Sequence, residues 1–353
     1  MTDLPPKPQR WKLYLPFVAL AVVAVGWSAF WKVAAGMTET GLDDWFAQER
    51  AQGREWTCPN RSVGGYPFRL ELRCAAPTFT GRIGAVAGAG SVGDVLVAAH
   101  LYNPSLVLAE VGSPLAFKAQ DGSADLSLAW TRLQASHRVR KGGLERDSLE
   151  IEGPVLRVAN KGAQVVSAKA EAFEIHLRPN PDRAAAVSAL DFALRLSKLD
   201  APALDGMSAY AGPLDAVFAA TVLQTEALRG GEFPQSLEQW RQAGGNAEIR
   251  EFKIAKGQAL VVASGQLGLD DAHRPAGRID LQLTGMGPLL QRFGLAPGNA
   301  AVGGLLGGLL AGKGQPAPAQ GGAEGVLRLP LELNQGRAMI GPMRLPVVLS
   351  PLY

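Results

Sequence analysis

The sequence predicts a mainly β protein: a curved antiparallel sheet, built as a groove or a folded-over sandwich, with a few short helices and one N-terminal transmembrane helix. Three observations predict it. Apolar and polar residues alternate in about a dozen segments, the period that sends successive side chains to opposite faces of a strand. Helical periodicity is confined to short stretches, too few to cover such a sheet in layers. The run from Leu13 to Trp31 carries no charge over nineteen residues.

That run comes first in the chain. At 1.5 Å per residue it makes a helix of about 28 Å, close to the thickness of a hydrocarbon core. Trp11 and Tyr14 stand at one end and Trp27 and Trp31 at the other, where amphipathic rings favour the two interfaces. Lys7, Arg10 and Lys12 precede the run, which places residues 1–12 in the cytoplasm and residues 32–353 in the periplasm as a single mostly-β domain. The expected location is a bacterial inner membrane. A cleaved signal peptide is the alternative, with Ala34-Ala35-Gly36 as the small-residue site, and it exports the same domain.

Four of the 35 basic residues (Lys7, Arg10, Lys12, Lys32) and one of the 32 acidic ones (Asp3) fall in residues 1–32. The remainder is therefore neutral, 31 against 31, and has no field suited to nucleic acid. Both cysteines, Cys58 and Cys74, lie in the exported part, where oxidation is permitted. A disulfide between them closes a loop of about sixteen residues, worth about 3 kcal/mol in lost chain entropy.

The strands follow. The clearest apolar rows are Phe68, Leu70, Leu72; Phe173, Ile175, Leu177; Leu190, Phe192, Leu194, Leu196; Ile279, Leu281, Leu283; and Leu327, Leu329, Leu331, Leu333. Weaker candidates lie near 95–101, 105–111, 124–130, 149–158, 214–222, 247–254 and 259–269, the last carrying Leu267 and Leu269. Turns such as Asp121-Gly122 and Asn334-Gln335-Gly336 separate them. Short helices are expected at Thr40 to Ala51, Pro234 to Ala243 and Gly287 to Phe293. Residues 299–313 are rich in Gly and Leu, apolar but too short to span a bilayer, and 314–323 read as a Pro/Ala/Gly linker.

Several motifs imitate chemistry. Gly88-Ala89-Gly90-Ser91-Val92-Gly93 has dinucleotide-fingerprint spacing but no βαβ setting. Gly307 to Lys313 nearly spells a phosphate loop, yet Gly314 stands where a hydroxyl should bind magnesium. The four histidines are scattered, and no acid–base or metal constellation emerges. The sequence thus predicts no enzyme and no cofactor.

Gly65-Tyr66-Pro67-Phe68-Arg69-Leu70 between two cysteines, Tyr102-Asn103-Pro104, Phe173 to Pro179, and Trp240 before Gly244-Gly245 resemble a family of uncharacterised single-pass envelope proteins of Gram-negative bacteria. The pair Gly265 to Leu269 and Gly277 to Leu281, and the ending Gly341 to Pro346, extend that likeness. The strand–turn–strand pattern is more distantly similar to AsmA-like proteins, whose long β-grooves are implicated in moving phospholipid. That resemblance implies lipid handling. The apolar rows named above, with Leu267 and Leu269, would then line a groove for a phospholipid or another acyl-chain ligand. The other reading is a scaffold or assembly factor that binds an envelope protein, with its sheet closed on a dry core.

Overall fold

The computed structural model describes residues 11–288 and 326–353, apart from 84–85, 141–142, 163–164, 184–186, 209, 230–232 and 341–342. Segments 299–313 and 314–323 lie outside the described residues, as does the helix expected from Gly287 beyond its first two positions.

The chain opens with one helix, α1 (Trp11–Ala51), of 41 residues or about 62 Å. It is long and apolar enough to cross a membrane. The helix expected separately at Thr40 to Ala51 is its continuation. No Gly–Pro break falls between them, and Thr38 and Thr40 hydroxyls bond back to the carbonyls of Ala34 and Gly36 instead of capping a new start.

Among the described residues the rest is mostly β-sheet, in 22 strands with three short helices. The first thirteen are β1 (Glu55–Thr57), β2 (Ser62–Gly64), β3 (Arg69–Cys74), β4 (Thr78–Ile83), β5 (Val86–Ser91), β6 (Val95–His100), β7 (Asn103–Val111), β8 (Leu115–Ala119), β9 (Ala124–Ala129), β10 (Arg132–Arg140), β11 (Gly143–Glu152), β12 (Val155–Asn160) and β13 (Val166–Lys169). Then come β14 (Ala172–Pro179), β15 (Leu190–Leu199), α2 (Pro202–Ser208), β16 (Leu214–Val222), α3 (Phe233–Gln242), β17 (Ala247–Lys256), β18 (Ala259–Leu269) and β19 (Pro275–Thr284). The last three are β20 (Leu327–Asn334), β21 (Arg337–Ile340) and β22 (Met343–Val348).

They form two antiparallel sheets. The smaller is ordered β1-β4-β5-β8-β9-β12-β13, and the larger runs through fifteen strands from β2-β3-β6-β7-β10-β11 to β14 and on to β22. Up to β14 the chain visits the sheets alternately, one hairpin at a time. The links between them, such as 92–94, 112–114, 130–131 and 153–154, are two or three residues long, so the sheets meet along a seam. Neighbouring links are bonded to one another: Gly112 N–H donates to Asp94 O at 2.6 Å, Trp130 Nε1 to Val111 O at 2.8 Å and Gly153 N–H to Glu171 O at 2.8 Å. The fold is a meander of long strands bent at this seam. Beyond β13 the small sheet stops, and the large sheet continues as a single layer flanked by α2 and α3.

The large sheet holds more strands than the dozen expected; at about 4.8 Å spacing, fifteen extend to about 67 Å if laid flat. The segment expected as one strand at 149–158 breaks at Gly153-Pro154, where the chain crosses the seam. Cys58 and Cys74 are joined, with Cα atoms 5.4 Å apart. The bond ties the link between β1 and β2 to the seam end of β3.

The outer face mixes charged groups with scattered apolar ones such as Leu96, Leu108, Val217 and Val262. Asp191 on β15 is buried and accepts hydrogen bonds from Asn180 Nδ2 at 2.7 Å, Thr221 Oγ1 at 2.8 Å and Arg178 Nε at 3.2 Å. A bulge in β17 brings Arg250 to 3.3 Å. Burial alone would raise this carboxyl, but those hydrogen bonds and the two guanidinium charges hold it below the usual carboxylate range. A depressed native pKa gives stability that is present above the unfolded value, near 4, and is lost as pH falls through the native one. Asp191→Ala should therefore reduce stability at neutral pH by about 2 kcal/mol, with the difference from the parent shrinking in acid; urea melts at pH 7 and pH 3 check both.

Candidate functional site: an apolar groove along the large sheet

Cross-strand register decides which side chains share a face. Leu72 pairs with Val97, Val97 with Ala109, Ala109 with Ala135, Ala135 with Leu149, and Leu149 with Ile175. The same row continues through Leu194, Phe218, Phe252, Ala263, Leu281 and Leu329. It crosses twelve strands without a polar residue. A parallel row runs Ile151, Phe173, Leu196, Ala216, Ile254, Val261, Leu283, Leu327. On the other side of the first row lie Leu70, Leu177, Phe192, Ile279 and Leu331, and beyond them Leu190, Leu267 and Leu333. Leu269 continues the same alternation at a strand end, while Phe68 lies in the turn before β3, beside Trp27. Apart from Phe68, every apolar residue singled out from the sequence thus falls on one face.

Most of that face is not packed away. Leu72, Val97, Leu149, Ile175, Leu194, Phe218, Phe252 and Leu281 are only half-buried. Fully buried apolar side chains are few, and several are alanines. Phe192, Phe218 and Phe252 form an aromatic stripe across the single-layer part, with centroids 5.9 and 6.4 Å apart.

Where the two sheets face each other the groove becomes a cavity of about 760 Å³. Its walls are Leu72, Val95, Val97 and Val111 from the large sheet, Trp56, Phe79, Leu115 and Phe117 from the small one, and Leu42, Trp45 and Phe46 from α1. Trp45 lies 5.8 Å from Trp56, which lies 4.9 Å from Phe79, so α1 closes the end of the groove against β1. A second recess of about 260 Å³ continues along the large sheet over Val107, Ala109, Ala135, Leu149, Ile175 and Leu177. One polar pair interrupts it, His137 Nδ1 to Asp147 Oδ1 at 2.6 Å.

The dinucleotide-like glycines have a packing role in this cavity. Gly88 and Gly90 lie in β5, and the Phe117 ring lies across them: a Cβ on Gly88 would fall 2.5 Å from Phe117 Cζ. The small-sheet lining was not among the residues singled out from the sequence. Its signal was present in the alternation of Leu126 and Leu128, paired with Phe117 and Leu115, but short glycine-containing strands obscured the rest.

Among the described residues no group of three or more His, Cys, Asp or Glu side chains is gathered to hold a metal. What the arrangement can do physically is take apolar chains out of water.

Comparison with curated proteins finds no match. Residues 31–347, nearly all of the chain beyond its apolar N-terminal run, match the family described as Uncharacterized protein conserved in bacteria (DUF2125), and the chain belongs to that family.

Proposed function

We propose that this protein is a periplasmic lipid-binding or lipid-transfer module, held to the inner membrane by the first part of α1, that shelters acyl chains along the apolar face of its large sheet. The observation that carries the reading is the unbroken apolar row from Leu72 to Leu329, half-buried within the chain except at Ala263 and Leu329 and opening into the cavity beside α1. Each methylene removed from water there contributes about 0.8 kcal/mol, so a few buried carbons suffice for retention and no covalent step is needed. The distant resemblance of the strand–turn–strand pattern to AsmA-like groove proteins, read from the sequence, implies the same.

The anchor reading is favoured over a cleaved leader by contacts of α1 with the sheet. Trp27 Nε1 donates to Pro67 O at 2.7 Å, Trp31 Nε1 to Arg69 O at 2.8 Å, and the Ser28 hydroxyl meets the Tyr66 hydroxyl at 2.9 Å. Cleavage after Ala35 or Gly36 would remove all three. Native mass spectrometry of the full chain extracted from membranes tests both points: the expected species retains residues 1–36 and carries phospholipid through detergent washing. A chain that begins near residue 37, or one with no lipid at any wash, would overturn the corresponding part.

The second reading, a scaffold acting through protein contacts, is favoured by the edge strand β22, where Val347 and Val348 are exposed and open to strand addition. Cross-linking in cells that recovered one stoichiometric protein and no lipid would support it.

A further inference from the structure

We infer that one rim of the large sheet, its turns at Gly65 to Phe68 and Leu101-Tyr102 with the adjoining ends of β10 and β11, docks on the anionic bilayer surface from which α1 emerges, and so sets the groove mouth at the lipid headgroups. The inference rests on the anchor reading above and deepens it.

Position comes first. If Leu13 to Trp31 spans the membrane, Trp27 and Trp31 stand at its outer end, and these two residues bond the backbone of Pro67 and Arg69. Tyr66 stacks edge-on against Trp31 at 5.6 Å, and Phe68 lies 6.4 Å from Trp27. The rim is therefore held at interface depth by the helix itself. Its direction follows as well. Arg61, just before β2, pairs with Asp43, while Tyr66, just after it, meets Ser28 and Trp31, so the edge strand runs alongside α1 and points its turn at the membrane.

Chemistry agrees with position. Tyr66, Phe68 and Tyr102 are 56%, 59% and 69% exposed, large rings turned outward where a soluble protein would bury or replace them. Aromatic residues with one polar end favour the headgroup region. Beside them, Arg138 stands opposite Leu106 in register, which places Arg138 and Arg140 next to Tyr102-Asn103-Pro104. Both are exposed, as is Arg146 across the hairpin. Arg140 shares its charge with Glu145 at 3.6 Å, so Arg138 and Arg146 carry the excess positive charge beside the aromatic tip, which fits a surface of anionic phospholipid at about 1 kcal/mol per net charge near it.

The test uses the full chain in vesicles of phosphatidylethanolamine and phosphatidylglycerol containing nitroxide-labelled lipid. An environment-sensitive fluorophore is attached at Tyr102→Cys, and in a second sample at Thr131→Cys on the seam, the full length of β10 away from the rim. Quenching and a blue shift at position 102, with neither at 131, are expected. Exchanging phosphatidylglycerol for phosphatidylcholine, or introducing Arg138→Glu with Arg140→Glu, should weaken the quenching at 102. An unquenched label at 102, or quenching indifferent to both charge changes, would overturn the inference. Bound lipid is measured on the same samples. Lipid retained with position 102 unquenched sinks the docking rim and leaves the groove; quenching without retained lipid does the reverse.

Discussion

Gly265→Ala or Gly277→Ala should destabilise the protein by about 3 kcal/mol, among the largest effects any single methyl group can have here. The two glycines face neighbouring strands, Gly265 opposite Ile279 and Gly277 opposite Leu267. A Cβ on Gly265 would lie 2.2 Å from Arg278 O and 2.7 Å from Ile279 Cα; one on Gly277 would lie 2.1 Å from Gln266 O. Those obstacles are backbone atoms of a paired strand and cannot rotate aside. Relief requires β18 and β19 to separate, which breaks the ladder that carries the groove into its last strands. Gly64→Ala is the control, since nothing lies within 4 Å of a Cβ there. Denaturant midpoints of the three variants should order accordingly.

Leu194→Asp should weaken lipid retention by roughly a hundredfold while leaving the chain folded. Leu194 sits mid-row between Ile175 and Phe218 and is half-buried, so a carboxylate there keeps access to water in the empty protein. An acyl chain lying across it would lose contact over about three or four methylenes, about 3 kcal/mol or two orders of magnitude in affinity. Arg195→Asp, on the opposite face of the same strand, changes charge more and should leave retention intact. Lipid per protein by mass spectrometry, with thermal melts of each variant, separates lost binding from lost folding.

The face was legible in the sequence because strand periodicity is local. Phe173, Ile175 and Leu177 announce their common side without knowledge of any neighbour, and the register then aligns such rows across strands. The second sheet was legible only in β9 and part of β12, at 124–130 and 149–158. Its strands are short, and two of them, Thr78–Ile83 and Val86–Ser91, hold glycines where a larger residue would complete the alternation. Gly88 and Gly90 are explained only by β8, almost thirty residues away, whose backbone at Ala116 and Lys118 and Phe117 ring fill the space they leave, and Gly81 by the close approach of Gly53 and Arg54. Strand β10 is not legible either, since the small Ala135 and the polar His137 weaken the apolar row that Leu133 begins. Bending at the seam was hidden for a different reason. A link of two or three residues reads as a turn whether the chain reverses within one sheet or passes to another, and only pairing partners distinguish the two.

The N-terminal run illustrates a related limit. Its composition identified a segment able to cross a membrane, and the interfacial tryptophans were recognised as girdle residues. Their indole N–H groups also have fixed partners, Pro67 O and Arg69 O, in a turn more than thirty residues later. That turn is part of the motif Gly65 to Leu70 that gave the family likeness, so the motif marks where the sheet is fastened to its helix.

The central claim is that lipid lies on one face of the large sheet. Photo-cross-linking in living cells tests it most directly, with benzoyl-phenylalanine placed in turn at Leu194, Arg195, Leu281 and Gln282. Phospholipid adducts are expected at positions 194 and 281 and none at 195 and 282, a period of two along each strand. Adducts to a protein at 194 and 281, or equal lipid labelling on both faces, would contradict it.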